Sequence, residues 1–319
     1  MKVLLVGAGR IGKRHAEHIN RLGELMAVCD TDQESGESVS DLYNVPYFSS
    51  LDELLGAKIK ADVVAVCTPN GFHAEHSILS LKAGYHVLCE KPMALSVHDC
   101  GEMIKTAEQA NKRLFIVKQN RYSPTSVWLK SLIDEGKLGE TYMVQMNCYW
   151  NRDDRYYKKG GWKGSKNMDG GVLFTQFSHF LDIMYWLFGD IKNINAKFQN
   201  FNHKTSTEFI DSGFVGFEFI NGGLGTINFS TSIWGQNMES SIAIIGEKGS
   251  VKVSGQYMDT VSHCVVEDYE MPILPPANPP NDYGDYKGSA ANHHYVIENV
   301  VNVLKGRSQI NTNALEGMK

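Results

Sequence analysis

Three glycines near the start, Gly7-x-Gly9-x-x-Gly12, stand between the apolar run Val3-Leu4-Leu5-Val6 and a helical pattern carrying Ile11, Ile19 and Leu22. The spacing suits a pyrophosphate. The first glycine allows a tight turn out of a strand, the second lets backbone approach phosphate oxygens, and the third lets helix and strand pack closely. The free amides of the helix N-terminus then face the anion. A second apolar run, Leu25 to Cys29, ends in Asp30, roughly twenty residues on, where a carboxylate can take the ribose hydroxyls of a dinucleotide. These residues predict NAD as cofactor, with Gly7, Gly9, Arg10, Ile11 and Gly12 at the phosphates and Asp30 at the adenosine ribose. Thr31-Asp32-Gln33 brings no basic residue after Asp30, so a 2′-phosphate would meet two carboxylates and NADP is disfavoured.

The elements that position this clamp follow from periodicity. After Asp30 the pattern alternates: a polar helix over 33–43, a short strand at Tyr47-Phe48, a helix with the capping-box spacing Ser50-x-x-Glu53, and the near-continuous apolar strand Asp62 to Cys67. A helix from His73, strand His86 to Cys89, a helix from Ser96 and strand Leu114 to Lys118 complete an α/β doubly wound parallel sheet over residues 1–121. Ligands of such sheets bind beyond the carboxyl ends of the strands. Thr68-Pro69-Asn70, Glu90-Lys91-Pro92 and Gln119-Asn120-Arg121 should therefore line the cofactor cleft, and Lys91, held by the backbone restriction that Pro92 imposes, is the candidate for chemistry.

Residues 122–319 read as a second, α+β domain with a large, mostly antiparallel open sheet. Strands are expected at 142–149, 194–201, 209–219, 224–232, 241–245 and 251–253, with turns at Asn221-Gly222-Gly223 and Gly246-Glu247-Lys248-Gly249. The apolar stretch Val172 to Phe188 reads as one buried helix with Thr175, His179 and Asp182 on one face. Pro272 to Asn292, with five prolines, reads as a long loop. Arg152 to Asp169 carries six basic against three acidic residues, with Tyr156, Tyr157 and Trp162 interleaved, a local +3 in a chain of net −5. Such a segment suits an anionic substrate, with Arg121 or Lys163 pairing to a carboxylate or phosphate and Tyr157 or Trp162 packing on a ring.

With Gly7 to Gly12, Thr68-Pro69-Asn70 with His73, the segment Gly84 to Pro92, and Gly170-Gly171 leading to His179-x-x-Asp182, the chain resembles the glucose-fructose oxidoreductase, inositol dehydrogenase and MocA family over nearly its whole length. The resemblance implies NAD-linked oxidation of a sugar or cyclitol, with Lys91 and His179 facing the reacting hydroxyl. It adds Thr68, Asn70, His73 and Glu90 to the cofactor side, and Asn120, Arg121, Thr175 and His179 to the substrate side. Many members carry an acid where this chain has Thr175, so a histidine without a partner acid is expected, as in members that act on UDP-N-acetylhexosaminuronates at C3. Inositol or hexose dehydrogenases, NAD-retaining glycosidases and cofactor-sensing regulators are the other activities that the resemblance allows. Family members continue beyond Leu315 into a closing helix, so a truncated copy is the expectation here.

A pI near 6.1 and net charge of −5 argue against a nucleic-acid or anionic-membrane partner, and the apolar stretches are too short or too polar for a membrane span. Six cysteines without a C-x-x-C pair read as reduced core thiols, and Met1-Lys2 leads straight into a strand, so a cytoplasmic location is expected. His73, His76 and His86 lack a carboxylate or cysteine at ligand spacing, and no metal is expected. An open sheet with one exposed face points to a homodimer or homotetramer.

Overall fold

Strands buried on both faces can be apolar along their length, and β4 (Val63–Val66) and β6 (Leu114–Ile116) of the first sheet are so throughout in the computed structural model, which describes residues 1–284 and 286–319. The chain alternates β1 (Lys2–Val6), α1 (Arg10–Leu22), β2 (Glu24–Cys29), α2 (Gln33–Tyr43), β3 (Tyr47–Phe48), α3 (Leu51–Gly56), β4 (Val63–Val66), α4 (His73–Lys82), β5 (His86–Cys89), α5 (Val97–Gln109) and β6 (Leu114–Ile116). All pairings are parallel in the order β3-β2-β1-β4-β5-β6. The order reverses between β1 and β4, the switch point at which such sheets bind ligands. The predicted caps form: Ser50 Oγ accepts from Glu53 N at 3.3 Å, and Ser96 Oγ accepts from Asp99 N at 3.0 Å.

The remaining elements are α6 (Pro124–Asp134), β7 (Thr141–Tyr149), α7 (Val172–Thr175), α8 (Ser178–Phe188), β8 (Ile191–Gln199), β9 (Ser212–Phe219), β10 (Leu224–Ser230), β11 (Glu239–Gly246), β12 (Gly249–Ser254), β13 (Thr260–Val266), β14 (Pro280–Asp282), β15 (Lys287–Ala290), α9 (His293–Leu304) and α10 (Ala314–Met318). The large sheet runs β13-β12-β11-β7-β10-β9-β8 and is antiparallel except for the parallel pair β7–β10. Its inner side chains, among them Val144, Met146, Phe217, Ile227, Phe229, Ile242 and Val251, pack with Trp128 and Leu129 of α6 and with Phe180, Ile183 and Leu187 of α8. Among the described residues no helix is long and apolar enough to cross a membrane.

The chain divides into two compact units, one of residues 1–118, 167–170 and 293–319 and the other of 119–166 and 171–292. The sequence reading placed 119–121 in the first domain and 293–319 in the second. Residues 293–319 instead join the first unit because α9 turns His293, Val296, Ile297, Val300 and Val303 inward and rests on α1, while α10 lies so close to β6 that a Cβ on Gly317 would stand 2.4 Å from Ile116. Other readings are corrected as well. The single helix expected over 172–188 is two helices, broken where Phe177 N bonds back to Val172 O at 2.9 Å, so Thr175 ends α7 while His179 and Asp182 lie on α8. The expected loop 272–292 contains the β14–β15 hairpin, with position 285 outside the described residues. Strand β13, with little alternation in Thr260–Val266, was missed.

Ile297 is fully buried on α9, so Ile297→Ala should cost about 2–4 kcal/mol by the usual large-to-small penalty. Differential scanning calorimetry checks this; an unchanged melting temperature would mean that α9 adds nothing to the unit.

Candidate active site

The glycine loop is fixed by backbone contacts. Gly7 adopts φ +95°, and a Cβ there would stand 2.6 Å from the carbonyl of Cys67; a Cβ on Gly12 would stand 1.9 Å from the Gly7 carbonyl oxygen. Glycine at both positions is demanded by the protein itself. Gly9 differs, since a Cβ there meets nothing within 4 Å. It caps α1 and is exposed with Arg10, Ile11 being partly covered. Open space above an α-helix N-terminus, beside a loop too tight for side chains, fits a dinucleotide pyrophosphate. Asp30, at the end of β2, accepts from Ala8 N at 2.6 Å and from Asp32 N at 2.8 Å, which ties the acid to the loop.

The other strand-end residues of this unit are cross-braced. His73 is buried between the carbonyls of Pro92 (Nδ1, 2.6 Å) and Thr68 (Nε2, 2.8 Å), so it spans the loops after β4 and β5. Burial lowers its pKa, with the two carbonyl contacts opposing. It therefore braces the two loops against each other. Thr68 Oγ1 pairs with His76 Nδ1 at 3.1 Å. Asn70 is buried and donates to Asp169 O at 2.8 Å, while Gly71 N donates to Met168 O at 3.0 Å, which ties residues 167–170 to this unit.

Glu90 is the residue whose surroundings the sequence hid most. Its carboxylate is buried, accepts from His15 Nε2 at 2.7 Å, lies 3.6 Å from His293 Nε2, and accepts from Lys91 N at 3.1 Å. Burial alone would raise its pKa, but the His15 hydrogen bond and the charges of His15, His293 and Lys91 outweigh this and hold it at about 2. Burial pushes His293 down to about 3. His15, Glu90 and His293 could hold a metal ion by proximity. Metal-bound histidines, however, donate their second ring nitrogen to a partner, and Nδ1 of both His15 and His293 is buried without one. The arrangement is a hydrogen-bonded His15–Glu90 pair with the His293 ring packed against it. His15 carries no spacing signal that would single it out in the sequence, and nothing there shows that His293 would return to meet it.

In the second unit, His179 is buried in the first turn of α8 and Thr175 is buried at the end of α7. Asp182, one turn on, holds Arg121 bidentately, with Nε to Oδ2 at 2.9 Å and Nη2 to Oδ1 at 2.8 Å, both side chains fully buried. Arg121, expected at an anionic substrate, is thus engaged inside the unit because a buried guanidinium requires a buried acid. Asn120 Oδ1 accepts from Ser289 Oγ at 2.7 Å. The cationic segment splits. Arg152 is buried against Trp150, Tyr156 and Tyr286, Lys163 Nζ lies 3.8 Å over Tyr156 and 2.8 Å from the Tyr286 hydroxyl, and Tyr157 is buried against His203 and Phe209. Trp162 is half-buried, while Arg155, Lys158, Lys159 and Lys166 face solvent, Arg155 on Asp153. Arg152 and Tyr286 were not singled out from sequence, since nothing in their spacing shows that they meet.

A parallel sheet with a glycine loop at its switch point and space over Gly9 defines a dinucleotide-binding protein. The chain belongs to the Gfo/Idh/MocA oxidoreductase family. Residues 1–118 match the family's model for an oxidoreductase with an NAD-binding Rossmann fold, and residues 127–252 match its C-terminal domain model. It is 33% identical to the WlbA dehydrogenase of Bordetella pertussis, solved in complex with NADH and UDP-GlcNAcA, over 99% of this chain and 92% of that one, with a TM-score of 0.88. Two Escherichia coli relatives are similar over most of the chain. D-glucoside 3-dehydrogenase is 32% identical over 80% of this chain and 74% of its own, and 2,7-anhydro-N-acetylneuraminate hydratase is 30% identical over 79% and 67%. The cofactor is NAD.

The contrast between the glycines is testable. Gly9→Val, placed in open space, should leave the melting temperature of the cofactor-free protein unchanged and weaken NADH by about tenfold or more, roughly 1.4 kcal/mol. Gly12→Ala should lower the melting temperature itself. Fluorescence titration and thermal melts separate the two, and wild-type NADH affinity in Gly9→Val would refute the assignment.

Proposed function

We propose that the protein oxidises a UDP-linked N-acetylhexosaminuronate at C3, with NAD as hydride acceptor. The observation that carries this reading is the likeness, over nearly the full length of both chains, to a dehydrogenase crystallised with UDP-GlcNAcA. A relative that is a 3-dehydrogenase by name supports the position. Within the chain, the exposed Lys158, Lys159 and Lys166 give a cationic border suited to a charged substrate, and a threonine at 175 leaves out a carboxylate that would repel it.

NAD supplies the hydride-accepting carbon; the residues do the rest. His179 takes the hydroxyl proton, since imidazole titrates in the range a base at neutral pH requires. Lys91 offers an ammonium to the same oxygen and stabilises the negative charge that develops on it. Asp30 holds the adenosine ribose, and Gly9 with the amides of α1 holds the pyrophosphate. Hydration changes no net oxidation state, so a relative that is a hydratase by name favours one further reading, in which NAD would be reduced and reoxidised within one cycle. Net reduction of free NAD distinguishes the dehydrogenase from it.

With NAD, kcat/KM for the UDP-linked uronate should exceed that for glucose or inositol by well over tenfold, Lys91→Met should lower kcat by roughly a hundredfold, and His179→Ala should abolish the rise in rate with pH near neutrality. Steady-state kinetics decide this: preference for a free sugar rules out the substrate, and a variant at wild-type rate removes that residue from the mechanism.

The oligomer belongs to the same proposal. On the outer face of the large sheet Ile245, Met143 and Leu224 stand side by side in register, 47%, 40% and 58% exposed, with Phe214 two rungs further along at 51%. Covering them with a second copy buries apolar surface that a monomer would leave in water. Sedimentation should show at least a dimer at micromolar concentration, and Met143→Lys should dissociate it; a monomeric wild-type protein would refute this.

A further inference from the structure

The buried His15–Glu90 pair in the first unit lies beside the residue that the mechanism needs charged. We infer that Glu90 is a positioning residue for Lys91: its carboxylate, held by His15 with the His293 ring packed against it, fixes the Lys91 peptide and supplies the negative charge that keeps the Lys91 side chain an ammonium. This rests on the reading of Lys91 as a cationic donor.

The geometry carries the first half. Glu90 Oε2 accepts the N–H of Lys91 itself at 3.1 Å, while its Oε1 is held by His15 Nε2 at 2.7 Å, with His293 Nε2 at 3.6 Å. On the other side of Lys91, the Pro92 carbonyl meets His73 Nδ1 at 2.6 Å, and Glu90 N donates to Val66 O at 3.0 Å. The peptide that launches the Lys91 side chain is thus pinned before and behind it. Two histidines from distant parts of the chain, one on α1 and one opening α9, converge on a single carboxylate oxygen, their rings edge to face at 5.6 Å. The buried carboxylate is thus bonded at both oxygens, Oε1 to His15 and Oε2 to the Lys91 amide, with the His293 ring beside it.

The charge carries the second half. The titratable groups facing Glu90 and Lys91 are His15 on α1, Cys67 after β4, His73 on α4, Cys89 on β5 and His293 on α9. Burial pushes both thiols up and both His73 and His293 down, so these four are neutral near pH 7. His15 serves the carboxylate as a hydrogen-bond donor. Glu90 therefore remains an anion, held first by His15 and, more weakly, by the Lys91 charge, and a negative charge one residue away in the chain favours the protonated form of the Lys91 amine.

Glu90→Gln keeps the shape and an acceptor but removes the charge. It should lower the Lys91 pKa by about one unit, read by 13C NMR of the labelled lysine in the cofactor-free protein, and move the high-pH fall in kcat/KM down by the same amount. kcat should drop about tenfold or more with KM for the sugar little changed, as expected when an interaction made in the transition state is lost. In a Lys91→Met background the same substitution should have no further effect on kcat, because its action runs through Lys91. His15→Gln, which keeps a donor to the carboxylate, should restore most of what His15→Ala loses, and it keeps the question answerable if Glu90→Gln folds poorly. An unchanged Lys91 pKa, equal loss in the Lys91→Met background, no rescue by His15→Gln, or a stoichiometric divalent metal in the purified protein would each overturn the inference. If Lys91→Met itself turns over at the wild-type rate, it is the reading of Lys91 that fails, while the NMR shift still reports on Glu90.

Discussion

The first unit depends on one close approach of backbone to backbone. Gly7 leaves β1 in a conformation reserved for glycine, and Gly12 brings the first turn of α1 against the Gly7 carbonyl, where a single methyl would stand at 1.9 Å. Because α1 starts there, its amides open over Gly9. Because Gly7 also lies against Cys67, the end of β4 and the loop after it are brought to the same place. The order of the parallel sheet reverses at this point, so the contact that closes the fold also creates its opening. Local glycine chemistry and global topology give the same answer, as they do in sequences with little internal conflict.

How much of this was readable in the chain follows from the range of each interaction. The place of the glycine turn after β1 and of Asp30 after β2 was legible because each is written within about thirty residues and obeys a fixed spacing. The parallel sheet was legible because its strands are apolar on both faces. The helix break at Gln176-Phe177 was not, since Val172 to Phe188 is apolar throughout and the interruption is made by a bond back to Val172. Nor could spacing show that Arg121 would be taken up by Asp182, or that Lys163 would rest on Tyr156 and Tyr286, residues far apart in the chain. Polar side chains at loop ends look alike in sequence whether they face a ligand or one another.

The second unit shows how charge is divided by burial. Its cationic segment appears uniform as a string, yet Arg152 is enclosed by three aromatic rings while Lys158, Lys159 and Lys166 remain in water. Enclosure lowers the Arg152 pKa against the opposing pull of the neighbouring tyrosines, and a cation so held acts as a packing element more than as a long-range attractor. Exposed lysines keep their reach, shortened by salt.

The return of residues 293–319 to the first unit has a consequence for how the chain is made. That unit is discontinuous: α1 emerges from the ribosome long before α9, which covers it. During synthesis the His15 and Glu90 side chains wait without the His293 ring that packs against them while the whole of 171–292 is threaded out. Residues 119–166 and 171–292, which form the second unit, need no partner from beyond residue 292 and can condense first. The first unit therefore closes after the second, and the nascent protein carries an uncovered α1 face until α9 has emerged, the kind of surface on which folding assistants act.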